Sequence, residues 1–230
     1  MTSRVIEFRL LTLLAGLLTV VFLAWPEIDL ATSAHFYAGE GRWLYTNEMS
    51  LPGIAYDWTT ILGRLLIAGV ILTLLAGRWL RRIAPNARQT SIFLLVGALL
   101  GPGLLVDVGL KGQLGRARPV QTDVFGGQAS FTPAFVPSTQ CSSNCSFVSG
   151  HVATAAFVMA FGWLGSRRQR LAWLGGSLLT AGYVGWARIA VGGHYLSDAI
   201  FAWFAIYFAL WFSEWSLKRL GVLPQGTPTP

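Results

Sequence analysis

Long apolar runs, broken by short polar segments, dominate this chain. A helix needs roughly 17–25 apolar residues to cross the hydrocarbon of a bilayer. Six runs fit that reading, at residues 8–25, 60–80, 90–110, 152–164, 171–189 and 195–215. The fourth reaches full length only if it starts within the preceding "SFVSGH". The first is read as a retained span rather than a cleaved leader, because Pro26 follows it and no small-x-small site is present.

Basic residues set the expected orientation. Arg4 and Arg9 precede the first run, and Arg78, Arg81, Arg82 and Arg88 separate the second from the third. Arg167, Arg168 and Arg170 separate the fourth from the fifth, and Lys218 with Arg219 follows the sixth. The positive-inside rule puts all four places in the cytoplasm. The expectation is an all-α, polytopic membrane protein of six transmembrane helices, with both termini cytoplasmic. Residues 1–230 form one integral-membrane domain, and segments 26–59 and 111–151 are outer loops. The 26–59 segment carries aromatics ("HFYAGEGRWLY") and is expected to lie along the interface, with His35 as a packing residue.

Composition agrees with a lipid environment: 53% of residues are hydrophobic and 12% charged, against about 25% charged in an ordinary soluble domain. The net charge of +7 is explained by the flanks of the spans, so nucleic acid is not an expected partner. Cys141 and Cys145, in "CSSNC", are the chain's two cysteines. Alone, a CxxxC pair fits free thiols, a disulfide or half of a metal site. Placement on an outer, oxidising side favours the disulfide.

The ionisable residues that break the apolar pattern gather on that same outer side. Lys111 and Arg118 ("KGQLGRARP") begin the third outer segment, and Ser149, Gly150 and His151 end it. Arg188, His194 and Asp198 flank the turn between the fifth and sixth runs. The bland alternative for Lys111, Arg116 and Arg118 is that they snorkel or bind lipid headgroups. Charge at membrane depth is costly unless it faces a cavity or a partner, and this set suits phosphoryl transfer. Arginine forks and a lysine match phosphate oxygens. His194 and Asp198 are four apart, so a helix starting near His194 puts both on one face. Asp198 then accepts one ring N–H and leaves the other nitrogen as nucleophile. His151, arriving from another span, can protonate the leaving oxygen, and no metal or other cofactor is required.

Taken together, Lys111-x6-Arg118-Pro119, Ser149-Gly150-His151 and Arg188-x5-His194-x3-Asp198 resemble the motifs of the type 2 phosphatidic acid phosphatase (PAP2) superfamily. The likeness covers about 60–215. It implies a helical core, a phosphohistidine on His194, His151 as general acid, and phosphate contacts from Lys111, Arg118, Ser149, Gly150 and Arg188. Two positions depart from the family pattern: Val148 stands where proline is usual before Ser-Gly-His, and Ala187 where serine is usual before Arg188.

The expected substrate is a lipid phosphate at the outer face of a bacterial inner membrane. Undecaprenyl diphosphate, phosphatidylglycerol phosphate, phosphatidic acid and the 1-phosphate of lipid A are the candidates, and transfer to a second lipid is the alternative to hydrolysis. Membrane lipids are the expected surroundings, and no obligate protein partner is evident. A rhomboid-type serine protease fits less well, because Phe147 stands where its glycine belongs and three cations would have no use. A transporter would place its charges near the midplane. The aromatics Phe125, Phe131 and Phe135 are expected to shape the entrance to the site.

Overall fold

A computed structural model describes residues 3–46, 51–76 and 86–225. Arg78, Arg81 and Arg82, the end of the second apolar run and most of the polar tail lie outside the described residues. Each of the six apolar runs overlaps a helix. These are α1 (Ser3–Ala24), α3 (Leu51–Leu75), α4 (Ala87–Ala98), α5 (Gly150–Ala156), α6 (Arg167–Ala190) and α7 (Leu196–Arg219). Three helical stretches, Ser3–Ala24, Ala87–Gln121 and Leu196–Arg219, are long and apolar enough to cross a membrane.

The third run does not end where the apolar pattern ends. From α4 the chain continues as a π-helical stretch, Leu99–Leu110, with Pro102 inside it, and then a last α-turn, Lys111–Leu114. Lys111 therefore projects from a helix, not from a loop. The fourth run starts at Gly150, with Ser149 as its N-cap, its hydroxyl accepting from the Val152 N–H at 3.5 Å. It continues through a 3-10 turn, Phe157–Met159, to Trp163.

The 26–59 segment is only partly a loop. It forms α2 (Glu27–Ala34), a small antiparallel pair of strands, β1 (Tyr37–Gly39) and β2 (Arg42–Trp43), and the first turns of α3. A two-stranded hairpin is thus added to the otherwise all-α expectation. Hairpins are marginal alone; here Tyr37 and Trp43 both pack on Phe125, ring centroids 5.3 Å away.

Helix α7 is the centre of the bundle. It packs against α1, α2, α4, α5, α6 and the π-helical stretch, and about two-thirds of its apolar window is buried. Without a solvent-driven hydrophobic force in lipid, close approach of small residues brings helices together. Gly97 and Gly101 do so here. A Cβ on Gly97 would lie 2.7 Å from Leu210, and one on Gly101 3.1 Å from Ile206. Helix α1 lies at the periphery, with Leu10, Leu13, Leu17 and Val20 exposed in the direction lipid would occupy.

Ion pairs tie the helices together at one end. Glu214, near the end of α7, pairs with Arg4 of α1 and with Lys218, and accepts from the Trp163 indole at 2.8 Å. Arg170, in the first turn of α6, pairs with Glu7 at 2.7 Å and lies over the Trp163 ring. The residues singled out for chemistry occupy the other end: the starts of α5 and α7, the end of α6, and the end of the 87–114 helix.

Candidate active site

His194 lies in the tight turn between α6 and α7 and is 1% exposed. The turn is closed by the Arg188 carbonyl, which accepts from the N–H groups of Gly193 at 2.9 Å and His194 at 3.2 Å. The Arg188 side chain folds under that turn against Gly193, where any Cβ would overlap the guanidinium. Glycine is required there by close approach.

Nδ1 of His194 faces two acceptors. The backbone carbonyl of Ser146 is 2.8 Å away, and Oδ2 of Asp198 is 3.4 Å away. The expected order is thus modified: a carbonyl is the nearer partner and the carboxylate the second. Both groups can only accept, so Nδ1 carries the proton and Nε2 keeps its lone pair. Burial, reinforced by Arg188 and Arg118 and opposed by Asp198, pushes the ring's pKa down to about 4. A buried, neutral imidazole with one free nitrogen is in the form needed for nucleophilic attack.

Asp198 is wholly buried in the first turn of α7. Oδ2 accepts from the Ser146 hydroxyl at 2.5 Å and the Tyr195 N–H at 2.8 Å, and Oδ1 from Arg116 at 2.7 Å. The backbone carbonyl of Asp198 accepts from the Ser149 N–H at 3.1 Å. That bond ties the start of α5 to the start of α7, and it occupies a donor that sequence alone assigns to phosphate.

The remaining residues converge on this point. Lys111 lies against Gly150, whose added Cβ would sit 2.9 Å from Nζ, and Nζ is 3.4 Å from Asp107 and 3.5 Å from the Asn144 side chain. The Arg118 guanidinium donates to the Asn144 carbonyl at 2.9 and 3.2 Å. His151 is half-buried and lies in the electrostatic field of Arg188, His194, Lys111 and Arg118. Asn144 is held in a five-residue loop closed by a Cys141–Cys145 disulfide, with Cα atoms 5.7 Å apart.

Sequence reasoning misses four participants. Arg116, to which the sequence reading gives no role in the chemistry, is 1% exposed and bridges Asp198 to Asp29 of α2 at 2.8 Å. Asp29 also accepts from the N–H and hydroxyl of Ser197 at 2.8 and 2.5 Å. Ser146 and Asn144 sit in the loop leading to α5. The three aromatics expected at the entrance make ring contacts that hold that loop: Phe131 packs on Tyr195, Phe135 on Phe147 and Phe201, and Phe125 on Tyr37 and Trp43. The Phe147–Val148 peptide is cis. Nothing in the structure explains Ala187 in place of serine.

Beside the turn opens a cavity of about 440 Å³, lined by Gly41, Arg42, Trp43, Tyr45, Thr46 and Val191. The Trp43 ring lies directly on Gly192, so the cavity adjoins the turn that carries His194. Among the described residues no group of three His, Cys, Asp or Glu side chains is placed to hold a metal ion.

A buried neutral histidine, backed by a carboxylate and with Lys111, Arg118 and Arg188 near it at one end of a bundle of apolar helices, is an arrangement suited to handling an anion. The family model of the PAP2 superfamily matches residues 91–220, and the chain belongs to that superfamily. It is 30% identical to the lipid A 4'-phosphatase of Francisella tularensis subsp. novicida (strain U112), over 84% of this chain and 87% of that protein. It is 34% identical to the lipid A 4'-phosphatase of Rhizobium leguminosarum, over 81% and 85%. The lipid A 1-phosphatase of Rhizobium johnstonii (strain DSM 114642 / LMG 32736 / 3841) is 34% identical over 66% of this chain and 62% of that protein. No solved structure matches the chain.

Proposed function

We propose that the protein is a membrane lipid phosphatase that hydrolyses a phosphate ester of lipid A, with the 4'-phosphate as its first candidate. The observation that carries this reading is His194, buried and neutral with Nε2 free, among Lys111, Arg118, Arg188 and His151. Nε2 attacks phosphorus, a P–N bond forms, and the P–O bond to the lipid breaks. The leaving oxygen takes a proton from His151. Water then attacks the phosphohistidine, His151 takes back a proton, and the P–N bond breaks to release phosphate. Phosphoryl transfer is governed by positioning and charge stabilisation, which the three cations supply above the Ser149–Gly150 turn. No step needs a metal.

All six helices cross the inner membrane in this reading, with the ion-paired end in the cytoplasm and the site at the periplasmic face. A lipid headgroup at that interface reaches the site without leaving the bilayer. The choice among lipid phosphates is supported by the relatives and by the cavity of about 440 Å³. Its Trp43, Tyr45 and Arg42 suit a saccharide ring bearing an anionic group, since ligand sites combine aromatic walls with a few polar groups.

The test is phosphate release by the purified protein in mixed micelles. The panel is bisphosphorylated lipid A, phosphatidylglycerol phosphate, phosphatidic acid and undecaprenyl diphosphate, with mass spectrometry locating the phosphate lost from lipid A. The expected result is turnover of lipid A above the other three, at the 4'-position. Release from none of the four would sink the phosphatase reading.

A further inference from the structure

We propose that Asp29, which lies outside all three motifs, is a positioning residue for phosphoryl transfer: it holds Arg116 between two carboxylates, so that Asp198 keeps its orientation and a net negative charge behind His194. This rests on the phosphatase reading above.

Arg116 would otherwise be a liability. Its guanidinium is 1% exposed and donates to Oδ1 of Asp198 at 2.7 Å, while Oδ2 of the same carboxylate is 3.4 Å from the His194 ring. An arginine so placed fixes the carboxylate but also cancels its charge. The carboxylate's use in the reaction is to favour positive charge on the ring as its nitrogen bonds to phosphorus. Asp29, 1% exposed, takes the other edge of the fork at 2.8 Å. Two carboxylates and one guanidinium leave one net negative charge, and Oδ2 of Asp198 is the part of it nearest His194.

The rest of the environment enforces this geometry. Nε of Arg116 donates to the Thr132 carbonyl at 2.8 Å, and Nη1 also donates to the Ser197 hydroxyl at 2.9 Å. The guanidinium lies 4.1 Å from the Tyr195 ring centroid and 5.5 Å from that of Phe131. Asp29 is in turn fixed by Ser197, the residue before Asp198. Removing one partner from a buried charge network leaves the others uncompensated, so the three residues act as a unit. Helix α2 thereby becomes part of the catalytic centre's support, although Asp29 itself does not touch substrate.

The experiment compares kcat and KM of wild type, Asp29→Asn, Asp29→Glu and the double variant Asp29→Asn/Arg116→Gln, each shown folded by far-UV circular dichroism. Asp29→Asn leaves Arg116 and Asp198 as a neutral pair. Its kcat should fall about 10- to 100-fold, the range for outer partners of a metal-ligating histidine, with KM within about twofold because no phosphate contact changes. Asp29→Glu keeps the charge and should stay within a few-fold of wild type. In the double variant Asp198 again carries the only charge behind His194, and the glutamine amide introduced in place of the guanidinium is a neutral donor. Its kcat should therefore rise above that of Asp29→Asn.

A merely structural role predicts the opposite for the double variant, which removes more buried contacts. An Asp29→Asn enzyme with unchanged kcat, or a double variant slower than Asp29→Asn, would overturn the proposal. If Asp29→Asn does not accumulate, Asp29→Ala carries the same comparison, having no amide to oppose the donors of Arg116 and Ser197. A wild type that turns over while Asp29→Asn matches it refutes this inference alone; a wild type that releases phosphate from no lipid refutes the phosphatase reading and this inference with it.

Discussion

Acidification tests how His194 is held. The ring is 1% exposed, and its pKa is pushed down to about 4 from an ordinary 6.5, chiefly by burial. Between those two values the unfolded chain binds a proton at this site and the folded protein does not. Stability therefore rises with pH through that window, and is lost as pH falls from about 6.5 to 4. A difference of about 2.5 units, at about 1.36 kcal/mol each, makes the whole effect on the order of 3 kcal/mol. The perturbation is His194→Gln, which keeps a donor for the Ser146 carbonyl but cannot titrate. Urea unfolding in mixed micelles, followed by far-UV circular dichroism at about pH 7.5, 6, 5 and 4, spans the window between the two pKa values. Wild type should lose stability relative to the variant across this range, by an amount approaching that figure. Equal pH slopes for the two proteins would refute the reasoning, since they would mean that His194 is already protonated in the fold, or that burial does not penalise its charge.

Three other outcomes follow from particular contacts. Cys141→Ser/Cys145→Ser opens the five-residue loop that presents Asn144 to Arg118 and Lys111; stability should fall by about 2 kcal/mol from loop entropy, read by urea unfolding, and KM for the lipid phosphate should rise several-fold. Gly193→Ala forces the Arg188 guanidinium to move, so kcat should drop by up to about 100-fold, the cost of misplacing a catalytic contact by about 1 Å, with unchanged helical content. Arg42→Ala, in the exposed wall of the cavity, should lower kcat/KM on lipid A by about fivefold, the scale of one exposed charge, and leave phosphatidic acid hydrolysis as it was.

The helices are legible because membrane-length apolar runs have few alternatives: each run overlaps a helix, and the site residues lie together at one end of them. Lys111 is misplaced by a turn because the polar residues after Leu110 look like a loop, while the backbone continues helical to Leu114. Arg116 is passed over for a deeper reason. In the string Gly-Arg-Ala-Arg-Pro nothing separates an arginine that faces headgroups from one that is buried, and its partner Asp29 is 87 residues away. The pattern around Asp29 is that of an interfacial segment, so its burial emerges only from the packing of α2 on α7. The nearer partner of His194 is a backbone carbonyl, and a carbonyl leaves no trace in the side-chain sequence. Ser146 could be suspected from its place between Cys145 and the Ser-Gly-His string, where a constrained loop meets the start of a helix.

The central claim is that His194 becomes covalently bonded to phosphorus. Rapid quenching of the purified enzyme with lipid A radiolabelled in its 4'-phosphate, followed by peptide mapping, tests it most directly. Wild type should carry label that is stable in alkali and lost in acid, as a P–N bond requires, on the peptide containing His194. His194→Ala, folded to the same helical content, should carry no label and release no phosphate. Label on another residue, or sustained phosphate release by His194→Ala, would contradict the account.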